Sequence, residues 1–259
     1  MDITAFTIGN RDAALLVGDY GAYRKQLSRQ LLAVRKRLGR STARGAKYST
    51  KNPVTADDIA KNIESLHLLL LTTERAWAHA MHIKSSHSED NAGKGITGQT
   101  RAHIISRLNK AAKIAASLVA LLNDRSSSGA TDQDWLEAEA YRASLAGAEH
   151  FEKQAEGQRS KEDQAVSARW NFCLTEFATA RVTYATLLSG TNKDIFRDFL
   201  ANTIDPTIRY AAYQARLPRS VAVSEVALRY FPKDQTQLVS LLEHVDKNAL
   251  SEQPSAASE

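Results

Sequence analysis

LEAEAYRASLAGAEHF (residues 136–151) and RWNFCLTEFATARVTYATLL (residues 169–188) are two long runs of apolar and small residues that contain no proline. Runs of this length and composition predict helices rather than strands. Gly147 in the first run and Ala178 in the second are plausible positions of close contact between the two helices. The sequence therefore predicts a packed helix pair in this part of the chain.

The helix pair is of the tetratricopeptide kind, although its connection is longer than that repeat allows. No alternating strand pattern longer than a few residues occurs elsewhere, and only five prolines and twelve glycines interrupt 259 residues. The predicted helices cover about 11–38, 55–84, 99–123, 132–156, 164–189, 193–203, 206–216, 219–230 and 235–247. Thr55 and Asp58 are expected to form a capping box at the start of the second helix, and Asp205 is expected to be the N-cap of the helix that begins at Pro206. We therefore expect an all-α, TPR-like array of antiparallel helix pairs in one domain over residues 1–250. Residues 251–259 are expected to be a disordered tail, where a longer protein was cut.

Composition limits the environment of the protein. Cys173 is the only cysteine, which excludes an intramolecular disulfide and fits a reducing compartment. The N-terminus is too polar for a signal peptide, and the longest apolar run, Leu68 to Leu71, is too short to span a bilayer. We expect a soluble, cytoplasmic protein without direct membrane insertion.

A basic segment, YRKQLSRQLLAVRKRLGRSTARGAKYSTK (residues 23–51), lies near the N-terminus. No acidic residue occurs between Asp19 and Asp57, whereas ten basic residues do. These are Arg24, Lys25, Arg29, Arg35, Lys36, Arg37, Arg40, Arg44, Lys47 and Lys51. Because the whole chain is only +5, the remainder is mildly acidic. The segment thus concentrates positive charge in one place.

At 100° per residue, the helical part of this segment separates into two faces. An apolar stripe falls within about 80°, and it consists of Tyr20, Tyr23, Leu27, Leu31, Val34 and Leu38. Four cations cluster on the opposite side within about 60°, and they are Lys25, Arg29, Lys36 and Arg40. One face can therefore pack on the protein while the other presents cations, and Tyr48 in the following loop could stack on a base.

Such a segment could be an ordinary solvated basic face, but a polyanion is the better interpretation. Solvated helices usually mix charge signs, like charges repel one another, and six of the ten cations are arginines, which favour phosphate. A membrane surface or a helix-binding protein is an alternative. No DNA-binding motif is visible, so DNA is not expected. Structured, irregular RNA fits best, because a regular A-form major groove is too narrow and deep for a helix.

A second basic set lies in RAHIISRLNKAAKIAASLVALL (residues 101–122), at Arg101, Arg107, Lys110 and Lys113. By itself this set reads as a solvated face, but beside the first helix it could widen an RNA footprint. GKGITG (residues 93–98) follows no strand, so it reads as a loop rather than a dinucleotide site. His79, His82 and His87 lack the spacing of a metal site. We expect no enzyme activity, no metal and no cofactor.

Five stretches together resemble the RNA-binding domain of the signal recognition particle's 68 kDa subunit. They are GDYGAYRKQLSRQ (18–30), TERAWAHAMHIK (73–84), SRLNKAAK (106–113), LEAEAYRASLAGAEHFE (136–152) and IDPTIRYAAYQ (204–214). The resemblance implies a TPR-like domain that binds the particle's 7S-type RNA near a multi-branched junction. It also implies that an arginine-rich helix enters the RNA major groove and helps remodel a loop during protein targeting to the endoplasmic reticulum.

The resemblance assigns this role to Arg24, Lys25, Arg29, Arg35, Lys36, Arg37 and Arg40, followed by Arg44, Lys47, Tyr48 and Lys51 in the loop. The family motif has denser arginines, whereas Leu31, Leu32 and Ala33 interrupt the run here. A later family region binds the particle's 72 kDa subunit, and nothing here resembles it, so the chain looks like an N-terminal fragment. The alternative function is a helical-repeat scaffold whose basic helix binds an acidic protein or a membrane surface.

Overall fold

The computed structural model describes residues 1–15, 19–47, 52–87, 96–154 and 163–251. Every regular element in these ranges is helical and none is a strand. The all-α prediction is therefore confirmed, while the TPR-like arrangement stays a prediction. Within the same ranges, no helix combines the length and apolarity needed to cross a bilayer.

The chain divides into two compact units, Met1–Ala138 and Glu139–Glu259, whereas the sequence predicted one domain. The first unit contains α1 (Ile3–Leu15), α2 (Tyr20–Arg37), α3 (Ala56–Lys61), α4 (Glu64–Ser86), α5 (Gly98–Asn123), α6 (Arg125–Ser128) and the start of α7 (Asp132–Gln154). The second unit contains the rest of α7, then α8 (Asp163–Thr191), α9 (Asp194–Phe199), a π-helical turn (Leu200–Ile204), α10 (Asp205–Gln214), α11 (Val223–Tyr230) and α12 (Thr236–Val245). The predicted tail, from residue 252 on, lies outside the described residues.

The single helix predicted over residues 11–38 is two helices. The Asp19 carboxylate accepts a hydrogen bond from the Ala22 amide at 3.0 Å, and this N-cap starts α2 as a new helix. The predicted end is correct. Gly39 adopts a left-handed φ of 65°, and the Gly39 and Arg40 amides bond to carbonyls of the last turn, which is the glycine-terminated cap of many helices.

The helix predicted over residues 55–84 is also divided. Thr55 and Asp58 form the predicted capping box at the start of α3. The helix then stops, because Asn62 adopts an extended conformation and its side-chain oxygen accepts a hydrogen bond from the Glu64 amide at 2.9 Å. That bond caps α4. An asparagine that competes for backbone hydrogen bonds is therefore the local cause of the break.

The opposite difference occurs over residues 193–216, where the two predicted helices form one continuous helical segment. Asp205 was predicted as an N-cap, but its carboxylate accepts a hydrogen bond from Arg181 at 2.9 Å and makes no cap. The chain passes from α9 into α10 through the π-helical turn. Pro206 follows this turn and has no amide to donate. The wider turn accommodates the missing hydrogen bond without ending the helix.

In the first unit, α2 packs against α4, and the two helices are antiparallel. Tyr20 of α2 contacts Trp77 edge to face at 5.9 Å, and Arg37 at the other end of α2 pairs with Glu64 at 2.6 Å. The buried stripe of α2 consists of Tyr23, Leu27, Leu31 and Val34, none of which is more than 5% exposed. These are the central residues of the predicted apolar stripe, so its assignment is confirmed.

A buried ionic network joins three helices of this unit. Glu74 on α4 is fully buried, and its carboxylate accepts hydrogen bonds from Arg11 of α1 at 2.6 and 3.2 Å. The Tyr23 hydroxyl of α2 donates to the same carboxylate at 2.9 Å. The Arg11 guanidinium also lies 3.6 Å from the centre of the Trp77 ring. Burial and the neighbouring Glu74 charge raise the pKa of Tyr23, which keeps its hydroxyl protonated as a donor.

In the second unit, α7 and α8 pack as an antiparallel pair. Arg142 of α7 bonds to Glu176 of α8 at 3.0 Å, while His150, two turns later on α7, stacks on Phe172 at 5.6 Å. The closest approach occurs at Gly147, where a Cβ atom would come within 2.8 Å of the Phe177 ring. Gly147 is thus confirmed as a close-contact position, and Ala178 beside it is buried.

We expect Glu74→Leu to lower the free energy of unfolding by about 3–5 kcal/mol, because it leaves the Arg11 charge buried without its partner. The matched control is the double variant Arg11→Met with Glu74→Leu, which removes both charges and should be clearly less destabilised. Chemical denaturation of the four proteins of this cycle measures the coupling. Additive losses would show that the two side chains do not depend on each other.

We expect Gly147→Ala to lower the free energy of unfolding by about 1–3 kcal/mol, because the added methyl group overlaps the Phe177 ring. The sign of the change in unfolding free energy tests the close contact, since Gly→Ala at an open helix position raises stability by about 0.5–1 kcal/mol. Combining it with Phe177→Leu should recover part of the loss. A Gly147→Ala protein with a higher denaturation midpoint would contradict the close approach.

Candidate nucleic-acid interface

The basic face of α2 consists of Lys25, Arg29 and Lys36, all exposed and opposite the buried stripe. Arg24 beside it is half-buried. Within the described residues, none of these four cations has a carboxylate within ion-pair distance. Arg35 is half-buried near the end of the helix. The face therefore carries positive charge that the surrounding protein does not neutralise.

Two predicted cations are engaged by the protein itself. Arg37 bonds to Glu64 at 2.6 Å, and Arg40 bonds to Asp58 at 2.8 Å and to the Asn52 carbonyl. Arg40 was predicted on the same face as Lys36, but the Gly39 turn directs it toward α3 instead. The Arg37 side chain remains 56% exposed, and exposed pairs of this kind contribute at most about 1 kcal/mol. Such a pair can exchange its carboxylate for a phosphate at little cost.

The loop after α2 continues the basic surface. Arg44 and Lys47 are exposed, and Gly45 between them adopts a left-handed φ of 81°. Arg44 and Lys47 have no ion pair within the described part of the chain. Tyr48 and Lys51, also predicted as binding residues, lie outside the described residues.

The second basic set lies on α5, which packs against α4 in the same unit. Lys110 and Lys113 are exposed, whereas Arg101 and Arg107 are half-buried. His79 on α4 connects the two sets. Its ring contacts His103 of α5 edge to face at 5.4 Å, and both Arg24 and Arg107 act on its charge. The structure therefore brings the two predicted sets to neighbouring positions.

Burial, followed by the charges of Arg24, His103 and Arg107, lowers the pKa of His79 to about 4. His79 is consequently neutral at neutral pH, although it lies among cations. An anion beside Arg24 would reverse the electrostatic part of this shift. The lowered pKa of His79 thus reflects burial first and the neighbouring positive charges second.

A cleft of about 590 Å³ opens at the start of α2. Arg24, Lys25 and Arg29 line it together with Ser28 and with His82 of α4. A Cβ atom on Gly21 would come within 3.0 Å of the His82 ring, so the glycine allows this helix contact. Sequence reasoning considered His79 and His82 only as metal ligands and did not place them beside the basic face. The helix pairing that juxtaposes them leaves no signal in either segment alone.

The fold and this surface define a class of protein, an all-α domain with an outward basic helix for binding a polyanion. The family model described as "RNA-binding signal recognition particle 68" matches residues 15–259. The chain therefore belongs to the family of RNA-binding domains of the signal recognition particle 68 kDa subunit.

Individual relatives agree with the family. The chain is similar to "Signal recognition particle subunit SRP68" of Drosophila melanogaster, with 26% identity over 201 residues. That match covers 76% of this chain and 29% of the relative, so the chain spans less than a third of that protein's length. The "Structure of the SRP68-RBD from Chaetomium thermophilum" is 45% identical with a TM-score of 0.73, and the match covers 88% of this chain and 96% of that one. The resemblance stated from the sequence is thereby confirmed.

We expect the depressed pKa of His79 to make stability depend on pH. The unfolded chain binds a proton at this histidine below its ordinary pKa of 6.5, whereas the folded protein does so only near 4. Neutral His79 therefore contributes fully to the free energy of unfolding above pH 6.5, and this contribution is lost as the pH falls toward 4. Thermal midpoints across this range should fall less in His79→Asn than in the natural sequence. His67 and His150 also have lowered pKa values but are common to both proteins, so equal slopes would contradict the assignment.

Proposed function

We propose that this chain binds the signal recognition particle's RNA near a multi-branched junction. α2 inserts its basic face into an opened major groove and helps remodel the RNA there, as part of co-translational protein targeting to the endoplasmic reticulum. The observation that carries the proposal is the basic face of Lys25, Arg29 and Lys36, exposed on a helix whose other side is buried. Family membership supports RNA as the polyanion.

The shape of α2 argues for a distorted groove. Its 18 residues extend about 27 Å, and a helix with side chains is about 10–12 Å across. A regular A-form major groove does not admit such a cylinder. Because α4 backs α2 along its buried stripe, only the outer half of the helix can enter. The RNA must therefore widen at the contact, as it does at a bulge, loop or junction.

The outward face of α2 is not uniformly charged. Leu32 lies between Arg29 and Lys36 and is 53% exposed. An exposed leucine gains nothing from a phosphate, but it can contact the face of a base that has left its stack. Leu31, Leu32 and Ala33 interrupt the arginine run. Leu31 thus belongs to the buried core, and Leu32 adds an apolar side chain to the proposed interface.

The remaining assignments rest on family membership. We propose the cytoplasm as the location, with assembly beginning in the nucleolus, and the particle's RNA as the direct partner. Contact with the particle's 72 kDa subunit is proposed through a further region of the protein. The domain serves as a structural RNA-binding component rather than as an enzyme.

We expect this chain to prefer the junction RNA over a fully paired RNA of equal length and charge by at least about tenfold, or about 1.4 kcal/mol. Both RNAs offer the same phosphates, so electrostatic attraction alone predicts equal competition. The measurement is competition at fixed, near-physiological salt.

With about six phosphate contacts, log K should fall against log salt with a slope of about −4 to −5. A slope near zero would favour the scaffold function.

A matched pair of charge reversals locates the site. Arg29→Glu with Lys36→Glu should abolish junction binding, because both side chains are exposed on the basic face. Lys233→Glu with Lys247→Glu changes the net charge equally at exposed positions of the second unit, and it should weaken binding only slightly. Thermal midpoints of both variants should stay near that of the natural sequence. Equal loss of binding in the two variants would show that only net charge matters.

A further inference from the structure

The second unit carries a surface with an unusual combination of exposed aromatic and basic side chains. Tyr210 and Tyr213 lie one turn apart on α10 and are 47% and 54% exposed. With the turn that follows, they line a cleft of about 500 Å³, which also includes Leu217, Pro218 and Arg219. We call this the tyrosine cleft. Two phenol rings this open to solvent are available for contact with a ligand.

Positive side chains predominate around this cleft, although Glu225 lies between two of its lining residues, Val223 and Val226, where it pairs with Arg229 at 3.8 Å. Residues 206–224 contain three arginines, Arg209, Arg216 and Arg219, and no aspartate or glutamate. All three are exposed. The nearest carboxylate in the chain before them, that of Asp205, is bonded to Arg181 at 2.9 Å. The tyrosine cleft is therefore bordered by positive charge, as a site for an anionic ligand requires.

The rings are held in place before any ligand binds. Tyr210 packs against Phe151 at 5.4 Å and against Trp170 at 6.3 Å, which fixes its outer face toward solvent. The Arg219 guanidinium lies 4.9 Å from the centre of the Tyr213 ring. A guanidinium this close to an aromatic ring interacts favourably with it. This arrangement suits a flat, electron-rich ligand with a neighbouring negative charge.

The backbone at the edge of the cleft supports a role for an arginine side chain. Arg216 adopts a left-handed φ of 62° at the position after the end of α10. Its amide and that of Leu217 bond to the carbonyls of Tyr213 and Ala212, which is the helix cap in which glycine is usual. An arginine here is conformationally unfavourable. Arginine thus occupies a position where glycine would adopt the same backbone conformation with less strain.

From these features we propose that the tyrosine cleft binds an unpaired nucleobase of the RNA, which stacks on Tyr213 and Tyr210 while its phosphates contact Arg209 and Arg219. The site is separate from the basic face of α2, and it rests on the proposed function in that RNA is the ligand. Stacking on aromatic side chains accepts any base, because every base has a π-face. An apolar peptide offers no negative charge to Arg209 and Arg219, so RNA is favoured over that occupant.

The test compares variants of the full chain on the particle's RNA at fixed salt. Tyr213→Ala with Arg219→Ala should weaken binding about tenfold, whereas Tyr213→Phe, which keeps the ring, should bind within about twofold of the natural sequence. RNA containing 4-thiouridine should cross-link to the peptide that carries Tyr210 and Tyr213, and the double variant should lose that cross-link.

Including the reversal Arg29→Glu with Lys36→Glu separates this inference from the proposed function. One outcome would overturn the inference and leave the proposed function intact. In that outcome the reversal loses RNA binding, Tyr213→Ala with Arg219→Ala binds with natural affinity, and no cross-link forms at the tyrosine cleft. Weakened binding in the cleft variant alone would support the tyrosine cleft and count against the α2 site. Tyr213-dependent binding of a poly-glutamate peptide without an RNA cross-link would make the cleft a peptide site and overturn the inference.

Discussion

The contact of Arg11 and Tyr23 with the buried Glu74 carboxylate is the interaction on which the position of the basic helix depends. A buried carboxylate is unfavourable unless charged or polar groups surround it. Glu74 meets this requirement with two hydrogen bonds from Arg11 of α1 and one from Tyr23 of α2. Sliding or rotating either helix would leave a charge buried without a partner, which costs more than the loss of an apolar contact. The network therefore fixes the register in which α2 meets α4, and with it the direction in which Lys25, Arg29 and Lys36 face.

Because that position is fixed, α2 is helical before it meets any ligand. Asp19 caps its start, Gly39 ends it in a left-handed turn, and the basic residues of its last turn interact favourably with the negative end of the helix dipole. These terms offset the mutual repulsion of the cations on its outer face. A helix that is already ordered loses little conformational freedom on binding, so more of the phosphate attraction remains as affinity.

The sequence could predict the features that arise from local chemistry. The apolar stripe of α2, the capping box of Thr55 and Asp58, and the close approach at Gly147 were all correct, since each depends on residues a few positions apart or on a missing side chain. Features that depend on distant partners were not predictable. Arg37 and Arg40 have ion pairs with α4 and α3, although their own segment has no carboxylate. His79 comes close to Arg24 of α2 and to His103 of α5 only through the packing of these helices.

The distribution of ion pairs explains how α2 can be held firmly against the protein and still contact RNA. Pairs that involve buried groups, such as Arg11 with Glu74, are strong because water cannot replace either partner. The pairs at the end of α2 are exposed to different degrees, and the Arg37 guanidinium remains largely accessible beside Glu64. A phosphate can replace that carboxylate without leaving a buried charge behind. Binding of RNA therefore need not disturb the network that holds α2, because the charges that stabilise the fold and those that face the ligand belong to different side chains.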